Sequence, residues 1–415
     1  MNKTNPANLA VLACPGGEVF AEAVIADLES GYRLRFENMA GDLARQYDMD
    51  IGSAIRRINF INDVLSPSQT LPGDIDKYRT PNFRVSTKFT LFPNGEIKAE
   101  IMESIRGKDI YIVQDVENHY PVSFNGGAAK KVLSVNDHLM TIYVTVDAAR
   151  QAGAERVTLV APVYPYSRQH INKGREGLTA GRVGRILESL GVSRIITLDL
   201  HSREICNAFD SVRLENLHAS FQIISALVNN NQDIIDDNLV VVSPDTGAVS
   251  RNKFYATALK KPLALLYKER DYSMVSTDAL KNNISTIKLL GNVSGKNVFM
   301  ADDMLGTGGT LLKAMKFLKN EGAGKVIGAI SLPLFSGDAI NFFDDAYKDG
   351  LFFRIIGTNA VYHEEVLKRE WYINVDITKL FARTISRLHR GLSLSSLLDN
   401  RDIIVKHFHE NPDKV

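Results

Sequence analysis

The stretch Val298-Phe299-Met300-Ala301-Asp302-Asp303-Met304-Leu305-Gly306-Thr307-Gly308-Gly309-Thr310 carries the most chemistry in this chain. An apolar run ends in two carboxylates, turns through small residues and enters a helix at Leu311. Free backbone amides at such a turn, with the positive end of the helix dipole, make a site for a phosphate monoester. Gly308 and Gly309 allow a close approach of that backbone, and Thr307 and Thr310 add hydroxyl donors. Asp302 and Asp303 stand where they can accept hydrogen bonds from sugar hydroxyls. Two cations one residue apart, Lys268 and Arg270, follow the strand-like Leu263–Tyr267 and suit the stabilisation of charge on a transferred group. Taken alone they read as a solvated charge run. His201 directly follows a buried run, where a single histidine is more often structural. No G-x-x-x-x-G-K-[ST] occurs, Leu311 stands where a dinucleotide fingerprint needs its third glycine, and His363-Glu364-Glu365 lacks the second histidine of a zincin helix.

The elements that must hold these residues alternate. Apolar runs at Asp109–Gln114, Arg156–Pro162, Arg194–Leu200, Asn238–Ser243, Asn297–Asp302 and Lys325–Leu332 predict buried strands. Helical periodicity fills His138–Ala152, Thr179–Leu190, Leu217–Asn229 and Thr310–Glu321. Continuous apolar strands separated by helices predict an α/β fold with parallel sheets covered on both faces, whose ligands sit at the carboxyl ends of strands. Residues of about 32–66 depart from this, reading as helix with Leu43, Tyr47, Ile51, Ile55, Ile58 and Ile61 along one stripe. A loop with Pro67, Pro72, Gly73 and Pro81 follows, and Ile377–Leu388 predicts a last amphipathic helix before a polar tail.

With 415 residues the chain has room for two or three domains, and 45% apolar against 23% charged residues excludes a largely disordered chain. Lysine plus arginine, 49, nearly equals aspartate plus glutamate, 48, which argues against a broad nucleic-acid-binding surface. Cys14 and Cys206 are too few for a disulfide scaffold, which predicts a reducing, cytoplasmic setting, with Cys206 a buried free thiol. The apolar run Leu9–Cys14 is too short for a signal segment or a membrane span.

The 298–310 stretch resembles the PRPP-binding motif of the type I phosphoribosyltransferase fold. Other segments narrow that resemblance. They are Phe92-Pro93-Asn94-Gly95-Glu96-Ile97, Ile105 to Gln114, Tyr164-Pro165-Tyr166-Ser167-Arg168-Gln169, Leu198-Asp199-Leu200-His201-Ser202, Ser243-Pro244-Asp245-Thr246-Gly247 and Lys268-Glu269-Arg270. In this order they resemble the ribose-phosphate diphosphokinase (PRPP synthetase) family over about 8–30 and 85–398. The resemblance implies two tandem phosphoribosyltransferase-like domains, at 1–220 and 221–376. A helical insertion at about 32–84 would interrupt the first, and in 377–415 a C-terminal helix would pack back on that domain before the tail.

The family's reaction moves the diphosphoryl group of ATP to the anomeric hydroxyl of ribose 5-phosphate, giving PRPP and AMP with Mg²⁺. By resemblance, Lys268, Arg270 and His201 are catalytic, and Phe92, Asn94, Glu96, Arg168, Gln169 and His201 bind ATP. Ribose 5-phosphate falls to Asp245, Asp302, Asp303, Thr307, Gly308, Gly309 and Thr310, and the metal to His201 and Asp245. The Phe92–Glu96 loop would reach the adenine of a neighbouring subunit, which implies a homo-oligomer; neither nucleic acid nor membrane is expected as a partner. Three residues depart from the family pattern. Gly306 replaces an acidic residue, Ala248 replaces a glycine, and His170 replaces the aspartate after Arg168-Gln169. A regulatory subunit of the same family, or a PRPP-using phosphoribosyltransferase, are the alternative readings.

Overall fold

The computed structural model describes residues 8–55, 82–172, 174–230, 235, 238–268, 287–398 and 404, with Phe36 and Lys268 described for the backbone only. The chain divides into two compact units, one of the described residues up to Leu217 together with Thr378–Leu398, the other spanning His218–Ile377.

The first unit runs β1 (Leu9–Ala13), α1 (Glu18–Gln46), β2 (Thr87–Leu91), β3 (Ile97–Ile101), β4 (Asp109–Val113), β5 (Val122–Phe124), β6 (Ala129–Lys131), α2 (Val135–Gln151), β7 (Arg156–Val160), α3 (Thr179–Ser189), β8 (Arg194–Leu198) and β9 (Arg213–Leu217). Its main sheet is parallel throughout, in the order β1-β4-β7-β8-β9. β4 is buried at every position and β7 and β8 at all but their first, as continuous apolar runs require when helices cover both faces. Two antiparallel hairpins, β2–β3 and β5–β6, share a small separate core of Ile97, Val122, Phe124 and Leu133.

The second unit continues with α4 (Ser220–Asn230), β10 (Leu239–Ser243), α5 (Val249–Leu259), β11 (Leu263–Lys268), β12 (Ile287–Leu290), β13 (Asn297–Leu305), α6 (Gly309–Asn320), β14 (Val326–Pro333), α7 (Ala339–Lys348), β15 (Arg354–Thr358) and β16 (Tyr372–Val375). Its sheet order is β12-β11-β10-β13-β14-β15-β16, and only β12 runs antiparallel to its neighbour. From β10 the chain goes first to one side, at β11, and then to the other, at β13. That reversal opens a crevice beyond the carboxyl ends of β10 and β13, where doubly wound sheets bind ligands.

The strands expected from sequence all form, and β13 extends past its expected end at Asp302 to Leu305. α2 starts three residues before the expected His138, because Ser134 and Asp137 close a reciprocal capping box ahead of it. The helical block at 32–66 differs from its reading. Residues 18–46 are one continuous helix, so this segment prolongs α1 rather than standing apart. The expected stripe is broken where the chain leaves the helix at Asp48, with φ of 45°. Tyr47 and Ile51 are 57% and 58% exposed, while the small side chains of Ala40, Ala44 and Ala54 are the buried ones. Ile58, Ile61 and the Pro67–Pro81 loop lie outside the described residues, as does the polar tail beyond 398 apart from Ile404.

The last helix, α8 (Thr378–His389), belongs to the first unit. Phe381 meets Phe20 of α1 edge-to-face at 5.1 Å, and Thr378 donates to Asp27 at 2.8 Å. At its far end the buried His389 meets Asp109 of β4 at 2.9 Å, and Arg156 pairs with the same carboxylate. Burial pushes the Asp109 carboxyl up, but the hydrogen bonds from His389 and Arg156 outweigh it and hold the group below its ordinary 3.8. Its stabilisation is therefore complete above that ordinary value and is lost as pH falls through the still lower folded one. Asp109→Asn should cost roughly 3 kcal/mol at pH 7, with the gap from wild type narrowing as urea unfolding is repeated below pH of about 4. An unchanged midpoint at pH 7 would contradict this role.

Candidate active site

The candidate residues divide between the two units. In the first unit, Arg168 and Gln169 follow β7 through a turn in which the Gln169 amide donates to the Tyr166 carbonyl at 2.8 Å. The turn is fixed from below by Tyr164, buried, whose hydroxyl donates to the Ala180 carbonyl at 2.8 Å. His201 follows β8 through Asp199, whose amide donates to the Leu217 carbonyl, and Leu200, whose amide is held by the Asn216 side chain at 2.8 Å. Tyr166 and Asp199 both have positive φ, 59° and 41°. Such backbone in non-glycine residues costs about 1–3 kcal/mol and tends to persist at binding sites.

Arg168, Gln169, His170, Ile171, Glu176, Gly177 and His201 line one cavity of about 460 Å³. The structure thus brings together three residues that lie up to 33 positions apart in sequence, Arg168, Gln169 and His201. His170, the departure from the family pattern, faces His201 edge-to-face with ring centroids 5.2 Å apart. Glu117 lies near Arg168: burial pushes its carboxyl up, and the guanidinium opposes that shift.

Phe92, Asn94 and Glu96 are not in the lining of that cavity. They form the tip of the β2–β3 hairpin, closed by hydrogen bonds from the Phe92 amide to the Glu96 carbonyl and from the Gly95 amide to the Phe92 carbonyl, both 2.9 Å. Phe92 is 42% exposed there. The Asn125 side chain brackets Leu91, accepting from its amide at 3.1 Å and donating to its carbonyl at 3.2 Å. Asn125 itself has φ of 54°, a conformation asparagine tolerates better than most. Sequence reasoning missed it, although Asn125-Gly126-Gly127 is a hairpin-turn signal.

In the second unit, Asp245 follows β10 and folds back on its own loop. The Ser243 hydroxyl donates to the Asp245 carbonyl at 2.7 Å, and the Ala248 amide donates to the Asp245 carboxylate at 3.0 Å. The amide at the departing position Ala248 is thus engaged within the loop. Asp302 and Asp303 lie on the last turns of β13, where the Asp302 carboxylate accepts from the Asp303 amide and the Asp303 carboxylate from the Met304 amide, both at 2.9 Å. Burial, then the charge of Asp303, and last that of Asp245, push the Asp302 carboxyl up to about 7.

The loop then reaches Gly308, which is the N-cap of α6 with φ of 75° and no side-chain cap. A Cβ at Gly308 would run into the ring of Phe343, so only glycine fits. No acidic side chain occupies the first turn of α6, which leaves its amides open to an anion between the exposed Thr307, Gly309 and Thr310. Phe335, whose amide donates to the Leu305 carbonyl, is another non-glycine residue with positive φ beside a candidate site. Lys268 ends β11, while its side chain and Arg270 lie outside the described residues.

Cys14 is buried and its thiol is pushed up to about 12, chiefly by burial. Cys206 is free as expected but half-buried rather than buried. Among the described residues no helix is long and apolar enough to cross a membrane.

A model of the N-terminal domain of ribose phosphate pyrophosphokinase matches residues 69–191, and a phosphoribosyl transferase domain model matches 213–360. A ribose-phosphate pyrophosphokinase of Chlorobaculum tepidum is 34% identical over 318 residues, covering 76% of this chain and 88% of the relative. The chain belongs to the ribose-phosphate pyrophosphokinase family. Ribose-phosphate pyrophosphokinase A of Dictyostelium discoideum is likewise 34% identical, over 74% of this chain and 88% of its own length. The crystal structure of phosphoribosylpyrophosphate synthetase from Mycobacterium smegmatis shares the fold, with a TM-score of 0.66, 24% identity, and coverage of 92% of this chain and 99% of that one. The α/β class, the parallel sheets and membership of this enzyme family all agree with the sequence reading.

The raised Asp302 carboxyl has a consequence that stability measurements can read. A group that binds its proton more tightly when folded favours the folded state below its unfolded value, and that advantage is lost as pH rises through the folded value. The burial cost of the carboxylate is therefore absent near pH 4 and fully present above about 7. In the ligand-free protein, Asp302→Asn should leave Tm unchanged near pH 4 and raise it at pH of about 8. A variant that melts no higher than wild type at the upper pH would show that the carboxylate is not strained by its surroundings.

Proposed function

We propose that this chain transfers the diphosphoryl group of ATP to the anomeric hydroxyl of ribose 5-phosphate, giving PRPP and AMP, and that the residues named from sequence carry the reaction. The loop of the second unit supports this most directly. An open helix N-terminus suits the 5-phosphate, and a few residues before it two carboxylates suit the ribose hydroxyls. Asp245, in the loop after β10, belongs to the same ligand in this reading. The cavity of the first unit supports ATP binding: Arg168 is a fixed cation for phosphate oxygens, Gln169 an amide for hydrogen bonding, and His201 an imidazole at the phosphates.

Diphosphoryl transfer needs the acceptor oxygen in line and the oxygens of the transferred group neutralised, more than a covalent nucleophile. Lys268 and Arg270 supply that neutralisation in this reading. The carboxylates Asp245, Asp302 and Asp303 are the oxygen donors that Mg²⁺ prefers, and a cation beside them would offset the burial that raises Asp302. In this reading Asp245 would hold the ion beside these carboxylates, His201 would serve a metal at the ATP phosphates, and the ion would supply charge neutralisation on the phosphate oxygens. Among the described residues no cluster of side chains alone encloses a metal.

Phe92, Asn94 and Glu96 stand exposed on a hairpin tip away from the chain's own cavity, which favours a role in a neighbouring subunit's adenine site and hence a homo-oligomer. An aromatic face with amide and carboxylate groups is suited to a purine. The free cysteines agree with a cytoplasmic setting.

Two variants test these assignments. The double variant Lys268→Ala with Arg270→Ala should lower kcat by about a thousandfold while ATP affinity stays within about threefold. Arg168→Ala should instead weaken ATP binding about tenfold, with KM for ribose 5-phosphate nearly unchanged. A double variant that turns over at the wild-type rate would remove the 268–270 segment from the chemistry.

A further inference from the structure

The sheet of the second unit has a gap in its ladder beside the acidic pair. β10 pairs with β13 only over Leu239–Val241 against Asn297–Phe299. On its other edge β13 stays paired to β14 as far as Leu305. Ala301 is two residues beyond the last β10 pair and so turns its peptide groups to the edge that β10 has left. β10 cannot return, because Pro244 has no amide to offer and the chain folds away through Asp245. Ala301 is nevertheless fully buried at 0% exposure, where an unpaired peptide is costly.

The partner is Asn252, from α5, which is itself 0% exposed. Its side-chain oxygen accepts from the Ala301 amide at 2.9 Å, and its nitrogen donates to the Ala301 carbonyl at 2.8 Å. The same nitrogen donates to the Ala248 carbonyl at 2.9 Å. The amide of Ala248 in turn holds the Asp245 carboxylate. One side chain thus stands in for the missing strand and joins two loops, that of Asp245 and that of Asp302. An aliphatic residue of equal size would fill the space and leave the peptide groups unpaired, whereas a strand extension would close the crevice.

We propose that Asn252 is a positioning residue for ribose 5-phosphate, setting Asp302 and the Asp245 loop against each other without touching the substrate. The inference rests on the assignment of those carboxylates to ribose 5-phosphate. Its test compares Asn252→Leu, Asp302→Asn and a control, Ile355→Ala, which opens a cavity in the same core away from the loops. Equilibrium binding of ribose 5-phosphate and of Mg-ATP is measured for each, with KM, kcat and Tm.

Asn252→Leu should raise the Kd and KM for ribose 5-phosphate about tenfold and leave those for ATP within about twofold. The control should lower Tm while leaving both affinities near wild type. Equal weakening of both substrates, or the same selective loss in the control, would mean a merely structural asparagine and overturn the proposal. If Asp302→Asn weakens ribose 5-phosphate and Asn252→Leu does not, the positioning role alone falls. If Asp302→Asn has no effect on ribose 5-phosphate, the assignment of the acidic pair falls and the role of Asn252 with it. Should Asn252→Leu fail to fold, Asn252→Gln keeps the amide but shifts it by one methylene, and the same selective loss is required of it.

Discussion

A peptide group buried in a sheet must be paired, and a sheet that opens to admit a ligand necessarily leaves some peptides without a strand. The second unit is organised around that conflict. The order of β11, β10 and β13 creates a crevice where β10 and β13 part, and Pro244 makes the parting irreversible. The side-chain amide of Asn252 closes the accounts of Ala301, and the carboxylates of Asp245 and Asp302 are left at the crevice mouth. The first unit uses a related device at its surface, where the Asn125 amide brackets Leu91 just before the Phe92–Glu96 turn. In both units an amide side chain imitates a strand where a real strand would obstruct the loop it supports.

The same crevice concentrates unfavourable charge. Burial, together with the neighbouring carboxylates of Asp303 and Asp245, raises Asp302. Under the adjoining loop, Phe343 fills the space that any side chain at Gly308 would need, so the open amides of α6 and the packing behind them are one structure. Positive φ at Tyr166, Asp199 and Phe335 follows the same pattern, with strained backbone in the segments beside the candidate sites. Stability given up at these positions is offset by ordinary sheet and helix packing elsewhere, including the buried Asp109–His389 pair that ties α8 to β4.

Contiguous signals were legible in the sequence, and long-range ones were not. The acidic pair with its glycine turn could be read because its chemistry lies within one short segment, and the α/β alternation because buried strands are continuous apolar runs. Asn252 could not be read. Its partner Ala301 is 49 residues away, and the need for an amide arises only once β10 and β13 are known to separate. Asn125 is hidden in the same way, 34 residues from Leu91. The apolar stripe misled at Tyr47 and Ile51, where periodicity continues while the backbone turns at Asp48, although Leu43 and Ile55 on either side still pack around Ala40. His201 with Arg168 and Gln169 became a site only when β7 and β8 paired side by side and brought their carboxyl ends to one cavity.

The central claim is that this chain makes PRPP rather than merely binding the substrates of its family. Purified protein incubated with Mg-ATP and ribose 5-phosphate should release AMP and PRPP in equal amounts, with AMP formation depending on ribose 5-phosphate. Absence of ribose-5-phosphate-dependent AMP across a range of Mg²⁺ and phosphate concentrations, in protein that binds both substrates, would contradict it.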